Sequence, residues 1–231
     1  MRLIALHGSM SSAAQWRGYA SLLGGVDVVS PDLPGHGHRL AERFTIPRVV
    51  QTIEDASAGS DLFVLAGHSL GGYLAFGYAA THPDRVAGLI LLGASAEPTG
   101  ALAATYGAFA WAVERAPRRA FTHARNSLAR RLGMADELLV PPEAYDDLGH
   151  IWASVQRACP LRLLGQVRCP VVIINGQFDQ MRLHERRAAR LASNAPVRII
   201  RGASHLGPIT HRAAVAREIQ QFLAQHGLTS G

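Results

Sequence analysis

The chain has 231 residues, of which 48% are hydrophobic and 17% are charged. This composition is typical of a compact globular protein and excludes a disordered or fibrous one, and the length suits one large domain or one domain with an insertion. The net charge of +6 comes from arginine alone, because the sequence contains no lysine. Surfaces that bind nucleic acids usually mix the two residues, so this bias does not predict a nucleic-acid partner.

The sequence gives no indication of export or of membrane insertion. Cys159 and Cys169 are too few for a disulfide scaffold or a cysteine-rich metal site. The apolar run at the N-terminus is too short for a signal peptide. Glycines interrupt the long uncharged stretch 62–82, which therefore predicts a buried strand followed by a buried helix. We expect a cytoplasmic protein without a membrane partner.

Short apolar runs alternate with longer helical patterns, which predicts a parallel sheet covered on both faces. The predicted strands are 3–6, 26–30, 62–66, 87–92, 171–175 and 197–200. The predicted core helices are 13–23, 46–58, 70–81, 183–193 and 213–225. With right-handed crossovers, these elements form a doubly wound α/β fold with a mainly parallel sheet of about six strands.

Residues 96–170 interrupt this alternation and show no strand pattern. They predict helices over 102–116, 118–132 and 142–158. A long insertion between two core strands is usually functional, and ligands bind at the carboxyl ends of parallel strands. We therefore expect 96–170 to be a helical lid over a core formed by 1–95 and 171–231.

The strongest local motif is Gly67-His68-Ser69-Leu70-Gly71, which joins a predicted strand to a predicted helix. This strand–turn–helix context is typical of a nucleophile elbow, in which glycines permit a tight turn and the serine projects above the sheet. The N-terminus of the following helix stabilises negative charge formed there. The motif predicts Ser69 as a nucleophile.

Together with four other motifs, the elbow resembles the α/β-hydrolase family over nearly the whole chain. The four are His7-Gly8, the turn at 32–37, the loop at 176–179 and the loop at 202–205. The chain starts at the position of the family's third strand, which is why six strands are expected instead of eight. His38 and Arg39 depart from the small residues common in the family and are expected to alter the rim of the site.

The resemblance implies a Ser69, Asp179 and His205 triad in the family's order. A serine hydroxyl needs a base to take its proton, and an imidazole can take it and return it to the leaving group. The acid holds the imidazole in one tautomer. Glu97, which follows the preceding core strand, is the alternative acid. The backbone N–H groups of Ser9 and Leu70 are the expected oxyanion donors, and no cofactor or metal is required.

Six further residues are candidates for contact with substrate, with packing or solvation as the competing interpretation. The two arginines among them flank the apolar face of a predicted lid helix and suit an anionic group. The six are His7, His68, Trp111, Arg118, Arg125 and Trp152.

These features predict a serine hydrolase that cleaves a carboxylic ester, a thioester or a lactone of a small molecule. Carbon–carbon bond hydrolases and the menaquinone-pathway lyase use the same triad, so the motifs do not separate these activities. A ligand receptor with a hydrolase-like fold, and a scaffold that binds a protein through the lid, are the alternatives of another class. An acyl-carrier protein is a possible partner if the lid arginines bind an acidic surface. The oligomeric state stays open.

Overall fold

The computed structural model describes residues 1–99, 111, 115, 117–131 and 135–229. Six parallel strands form one sheet in the order β2-β1-β3-β4-β5-β6. Their bounds are β1 Arg2–Leu6, β2 Asp27–Val29, β3 Phe63–His68, β4 Val86–Leu92, β5 Val171–Gly176 and β6 Val197–Ile200. The expected parallel sheet of about six strands is confirmed.

Helices follow the strands as the sequence predicts. Their bounds are α1 Tyr19–Leu23, α2 Ile46–Ser57, α3 Leu70–Thr81, α4 Arg118–Arg131, α5 Leu148–Ala158, α6 Glu185–Leu191, α7 Gly207–Thr210 and α8 Arg212–Gln225. The described 3-10 helices are Ala13–Trp16, Gly37–Arg39, Asp136–Leu138, Pro142–Tyr145, Leu161–Gln166 and Gln180–Arg182.

The two faces of the sheet carry separate apolar clusters because successive side chains of a strand point in opposite directions. In β1, Leu3 and Ala5 belong to the cluster under α1 and α8. Ile4 and Leu6 belong to the cluster under α2, α3, α5 and α6. The central strands β1, β3, β4 and β5 are therefore buried on both faces, which explains why they are nearly continuous apolar runs.

Two predicted helices begin as 3-10 helices. The predicted helix 13–23 breaks at Gly18, whose φ of 83° lies in the left-handed region, so a 3-10 helix precedes α1. The predicted helix 142–158 begins as the 3-10 helix Pro142–Tyr145, and α5 starts only at Leu148. The predicted helix 102–116 lies almost wholly outside the described residues.

The strand order reverses between β1 and β3. The chain leaves β1 toward β2 on one side and returns to β3 on the other, and ligands bind at such points outside the carboxyl ends of the strands. In the part of the chain that the structure describes, no helix has the length and apolar character needed to cross a membrane.

Candidate active site

Ser69 sits at the sharp turn between β3 and α3, with φ of 52° and ψ of −119°. Left-handed backbone is rare for a residue with a side chain and occurs most often at functional sites. The turn is fixed to the neighbouring strand, since the Ser69 N–H donates to the Leu92 carbonyl at 2.8 Å. Ser69 is thus held in a strained conformation at the N-terminus of a twelve-residue helix.

The glycines of the elbow motif are required by close contacts of the backbone. A Cβ on Gly67 would lie 2.2 Å from the Gly71 carbonyl oxygen, and a Cβ on Gly71 would lie 2.5 Å from the Leu6 carbonyl oxygen. No side chain fits at either position without displacing β1 or α3. The spacing of these two glycines is therefore explained by packing around Ser69.

Asp179 and His205 meet at the carboxyl ends of β5 and β6. His205 Nδ1 donates to Asp179 Oδ1 at 2.9 Å, and the Met181 N–H donates to the same oxygen at 2.7 Å. The Asp179 side chain is buried, whereas the His205 side chain is one-fifth exposed. Burial alone raises the pKa of Asp179, but the bonds from His205 and Met181 outweigh burial and lower it, which favours the carboxylate.

Gly93 makes the close approach of this pair possible. A Cβ on Gly93 would lie 2.7 Å from Asp179 Oδ2 and 2.9 Å from His205 Nδ1. Its φ of 57° also favours glycine. The sequence analysis did not select Gly93, because a single glycine after an apolar strand has no distinguishing pattern.

The contact between Ser69 and His205 in the expected triad is not a hydrogen bond in this conformation. Within the described residues, no hydrogen bond joins Ser69 Oγ to the ring of His205. Such bonds are often long or poorly aligned in ligand-free hydrolases and tighten when substrate binds. Both side chains nevertheless belong to the same edge of the sheet.

The loop after β1 is held by a buried histidine. His7 Nδ1 donates to the Gly8 carbonyl at 2.8 Å, and His7 Nε2 accepts from the Leu33 N–H at 3.0 Å. The peptide that joins Gly8 to Ser9 is trans, so the Ser9 N–H points away from the carbonyl that His7 holds. His7 thereby fixes the direction of the N–H that was expected to bind an oxyanion.

Burial keeps this histidine neutral. Desolvation, followed by the nearby His36, lowers the pKa of His7 to about 3. With Nδ1 as donor and Nε2 as acceptor, both ring nitrogens are engaged by backbone groups. Both hydrogen bonds of His7 are therefore with backbone groups, and its ring lies beside the ring of His36.

His68 and Gln15 are two further buried polar side chains at this edge. His68 Nε2 donates to the backbone carbonyl of His205 at 2.9 Å. Gln15 Oε1 accepts from the Gly8 N–H at 3.1 Å. Gln15 was missed by the sequence analysis, since a lone glutamine in a helical pattern is usually exposed.

Glu97, the alternative acid, lies in a different environment. Its carboxylate pairs with Arg187 at 2.9 Å and accepts from the Leu161 N–H at 3.4 Å. The Glu97 backbone N–H donates to His184 Nδ1. These contacts join the end of β4 to the 3-10 helix Leu161–Gln166 and to α6, and none of them involves His205.

The four candidate substrate contacts within 96–170 have different surroundings. Trp152 is buried in α5 and packs edge-on against Tyr73 of α3, with 6.1 Å between ring centroids. Trp111 is exposed and lies under the Arg115 guanidinium. Arg125 is half-buried and donates to the Leu138 carbonyl at 3.2 Å. Arg118 begins α4.

Asp32 holds the turn at 32–37 to the loop after β1. Its carboxylate accepts from the Ala13 N–H at 2.7 Å and from the His38 N–H at 2.8 Å. His36 is buried and donates to the Pro34 carbonyl. Across the described ranges, no group of three or more histidine, cysteine, aspartate or glutamate side chains is arranged to hold a metal ion.

Comparison with known proteins agrees with this architecture. The model of the alpha/beta hydrolase family matches residues 3–218, so the chain belongs to that family. The expected family and fold are confirmed, as is the expected enzyme class, a hydrolase, at the level of the family.

Individual relatives are more distant. The chain is 35% identical to the lipase LipV of Mycobacterium tuberculosis over 94 residues, which is 39% of this chain and only 36% of that protein. It is 27% identical to 2-succinyl-6-hydroxy-2,4-cyclohexadiene-1-carboxylate synthase of Serratia proteamaculans over 97% of this chain and 94% of that one. A solved thermophilic esterase of Thermogutta terrifontis superposes with a TM-score of 0.79 at 21% identity, covering 98% of this chain and 90% of that one.

Proposed function

We propose that the protein is a serine hydrolase that cleaves a carboxylic ester, a thioester or a lactone of a small molecule through an acyl-enzyme on Ser69. The observation that carries the proposal is the strained elbow of Ser69 on the same sheet edge as the hydrogen-bonded Asp179 and His205. A buried serine in a relaxed turn would not need this backbone conformation.

The first half-reaction forms the acyl-enzyme. His205 Nε2 takes the proton of Ser69 Oγ while the oxygen attacks the substrate carbonyl carbon. The Leu70 and Ser9 N–H groups bind the oxyanion of the tetrahedral intermediate. The intermediate collapses, the bond to the leaving group breaks, and that group takes the proton from His205. Asp179 keeps Nδ1 protonated and stabilises the imidazolium.

In the second half-reaction, His205 takes a proton from water as the water oxygen attacks the acyl carbon. Collapse of this intermediate breaks the bond to Ser69 Oγ, which recovers its proton from His205. The products are the acid and a free serine. No group beyond these residues and water is needed for this sequence of steps.

We place 96–170 over the site as a lid. Met10, which follows Ser9, packs against Val140 and Tyr145. Arg17 forms an ion pair with Glu137, which ties the same segment to the start of the chain. These contacts support a pocket whose shape depends on the insertion. The acyl group would enter as a free ester or thioester, or attached to an acyl-carrier protein.

Labelling and turnover test the proposal together. A fluorophosphonate probe should label the wild-type protein at Ser69. Aryl esters of graded acyl length should be hydrolysed with a burst of the first product, and hydroxylamine should trap the acyl-enzyme as a hydroxamate. Ser69→Ala should abolish labelling, burst and turnover. A folded wild type that neither reacts with the probe nor hydrolyses any ester favours the receptor alternative.

The second candidate is a carbon–carbon hydrolase or a lyase of the menaquinone-pathway type. The alignment with the synthase over nearly both whole chains favours it. The lyase reaction is an elimination, which needs a base but forms no acyl-enzyme, whereas the carbon–carbon hydrolase adds water across the bond that breaks. Turnover that requires His205 but yields no hydroxamate and consumes no water would support the lyase over the esterase.

A further inference from the structure

Gln15 fixes one of the two peptide units that meet at Gly8. The Gln15 side chain is fully buried in the 3-10 helix after the loop, and its Oε1 accepts from the Gly8 N–H at 3.1 Å. His7 holds the other unit through the Gly8 carbonyl. The peptide units on either side of the Gly8 Cα are therefore both fixed by buried side chains, directly before the Ser9 N–H.

His68 joins this arrangement to the loop after β6. It immediately precedes Ser69, and its Nε2 donates to the His205 backbone carbonyl at 2.9 Å. The two imidazole rings lie beside one another, with 4.8 Å between centroids. His68 Nδ1 lies 3.3 Å from Gln15 Oε1. One buried ring thus contacts the loop after β1, the elbow and the loop that carries the proposed base.

The contact between these loops leaves no spare space. A Cβ on Gly8 would lie 2.9 Å from His68 Nδ1. Burial, with a smaller contribution from His205, also lowers the pKa of His68 to about 3, so the ring stays neutral beside the proposed base. A neutral ring that donates from Nε2 does not repel the His205 imidazolium formed during the reaction.

We propose that Gln15 and His68 are positioning residues, which hold the Ser9 N–H and the His205 loop at the spacing that acyl transfer needs. This inference rests on the proposed function. Gln15 acts through the Gly8 backbone, and His68 acts through the His205 backbone and ring. In the described residues, the hydrogen bonds that link Gln15 and His68 to the Gly8 and His205 segments go to backbone groups, so together they couple the oxyanion donor to the base without taking a proton.

A positioning role has a kinetic signature. Oxyanion binding and proton transfer develop only in the transition state, so a loss of position lowers kcat and leaves KM nearly unchanged. A displacement of about 1 Å in such a site costs on the order of 100-fold. A purely structural role lowers the melting temperature without changing kcat per active site.

The experiment compares Gln15→Leu and His68→Leu with the conservative variants Gln15→Glu and His68→Gln. The first conservative variant keeps an oxygen for the Gly8 N–H, and the second keeps a donor for the His205 carbonyl. Thr52→Val is the matched control, because Thr52 is buried in α2 and bonded to Arg39 and to the Arg48 carbonyl. Active sites are counted by fluorophosphonate titration, and kcat and KM are measured with one aryl ester.

We expect the two leucine variants to lose about 10- to 100-fold in kcat with KM within about threefold of wild type. The Ki of a trifluoromethyl ketone, which forms a tetrahedral adduct with serine, should rise by the factor by which kcat/KM falls. The conservative variants should recover most of the loss. The double variant Gln15→Leu/His68→Leu should lose little more than the worse single variant, because the residues act as one unit.

Two results would overturn the inference in different ways. The first result is an active wild type whose leucine variants have the same kcat as Thr52→Val, or have a raised KM with an unchanged kcat. This result rejects the positioning role while the proposed function stands. A folded wild type that neither hydrolyses esters nor reacts with the probe rejects the proposed function and the inference together.

Discussion

Gly93 lies directly against Asp179, so close that a Cβ on Gly93 would be 2.7 Å from the carboxylate Oδ2. Gly93→Ala is therefore expected to displace Asp179 and His205 and to lower kcat on the order of 100-fold. Gly59→Ala is the matched control, since Gly59 also has positive φ, at 80°, but has no atom near its missing Cβ. Each variant should lose roughly 1 kcal/mol of stability from backbone strain. Equal kcat values for the two variants would contradict the steric argument.

The assignment of the acid is tested by two isosteric substitutions. Asp179→Asn should lower kcat by about 10³- to 10⁴-fold, because an amide no longer holds the His205 ring in the required tautomer. Glu97→Gln should change kcat less than about threefold and lower the melting temperature, since Glu97 pairs with Arg187. Steady-state kinetics on probe-titrated enzyme measures both. A larger loss of kcat in Glu97→Gln would make Glu97 the acid.

The nucleophile and the base should be indispensable. Ser69→Ala and His205→Ala should each lower kcat by about 10⁴- to 10⁶-fold, and the double variant should be no worse than either single one, because the two side chains act as a unit. Circular dichroism and thermal unfolding should show an intact fold for both variants. Turnover in Ser69→Ala within tenfold of wild type would exclude an acyl-enzyme on this residue.

His7 should make the protein sensitive to acid. Its folded-state pKa of about 3 lies below the unfolded value of 6.5, so its contribution to stability is fully present above pH 6.5 and is lost as the pH falls toward 3. At pH 5 the loss amounts to about 2 kcal/mol. Urea unfolding at pH 7.5 and pH 5 should show a loss of stability that is about 2 kcal/mol larger in the wild type than in His7→Gln, because the lowered pKa of His68 contributes equally to both proteins. Parallel pH dependences would count against a buried neutral His7.

The arginines of the insertion 96–170 have a test of their own. Arg125 donates to the Leu138 carbonyl and to Asn126, so we expect Arg125→Met to affect a neutral ester and its carboxylate analogue alike and to lower the melting temperature. Arg130→Met, at an exposed ion pair with Asp136, is the control. A loss confined to the carboxylate ester, and abolished by high salt, would instead support selection of an anionic acyl chain. Arg118→Met in the same assay extends the test to the start of α4.

The sequence predicted the central strands well because both of their faces are buried and each is a nearly continuous apolar run. β6 was predicted at its observed bounds, and α3 was predicted residue for residue. The break at Gly18 was not predicted, because a single glycine is tolerated inside many helical patterns. The elbow of Ser69 could be predicted because its glycines must occupy fixed positions in the sequence relative to the serine.

The residues that position the site from around it could not be predicted in the same way. Gln15 and Gly93 act through contacts with residues far away in the chain, and nothing in their local sequence marks those contacts. The partners of Arg125 depend likewise on how the insertion folds back on itself. Periodicity reports which face of an element is buried, but it does not report which atoms meet there.

The insertion between β4 and β5 leaves the pairing of these strands untouched, since Leu92 lies beside Ile174 in the sheet. Closing a flexible loop costs only about 0.6 kcal/mol more for each doubling of its length. The part of the insertion that precedes α5 can therefore change in length at little cost to folding, while the strand ends that carry Ser69, Asp179 and His205 stay in register. The part from α5 onward cannot, because α5 packs in the apolar cluster on one face of the sheet. A graft from another member of the family should therefore join at the end of β4 and before α5, so that the packing of α5 on the sheet is kept.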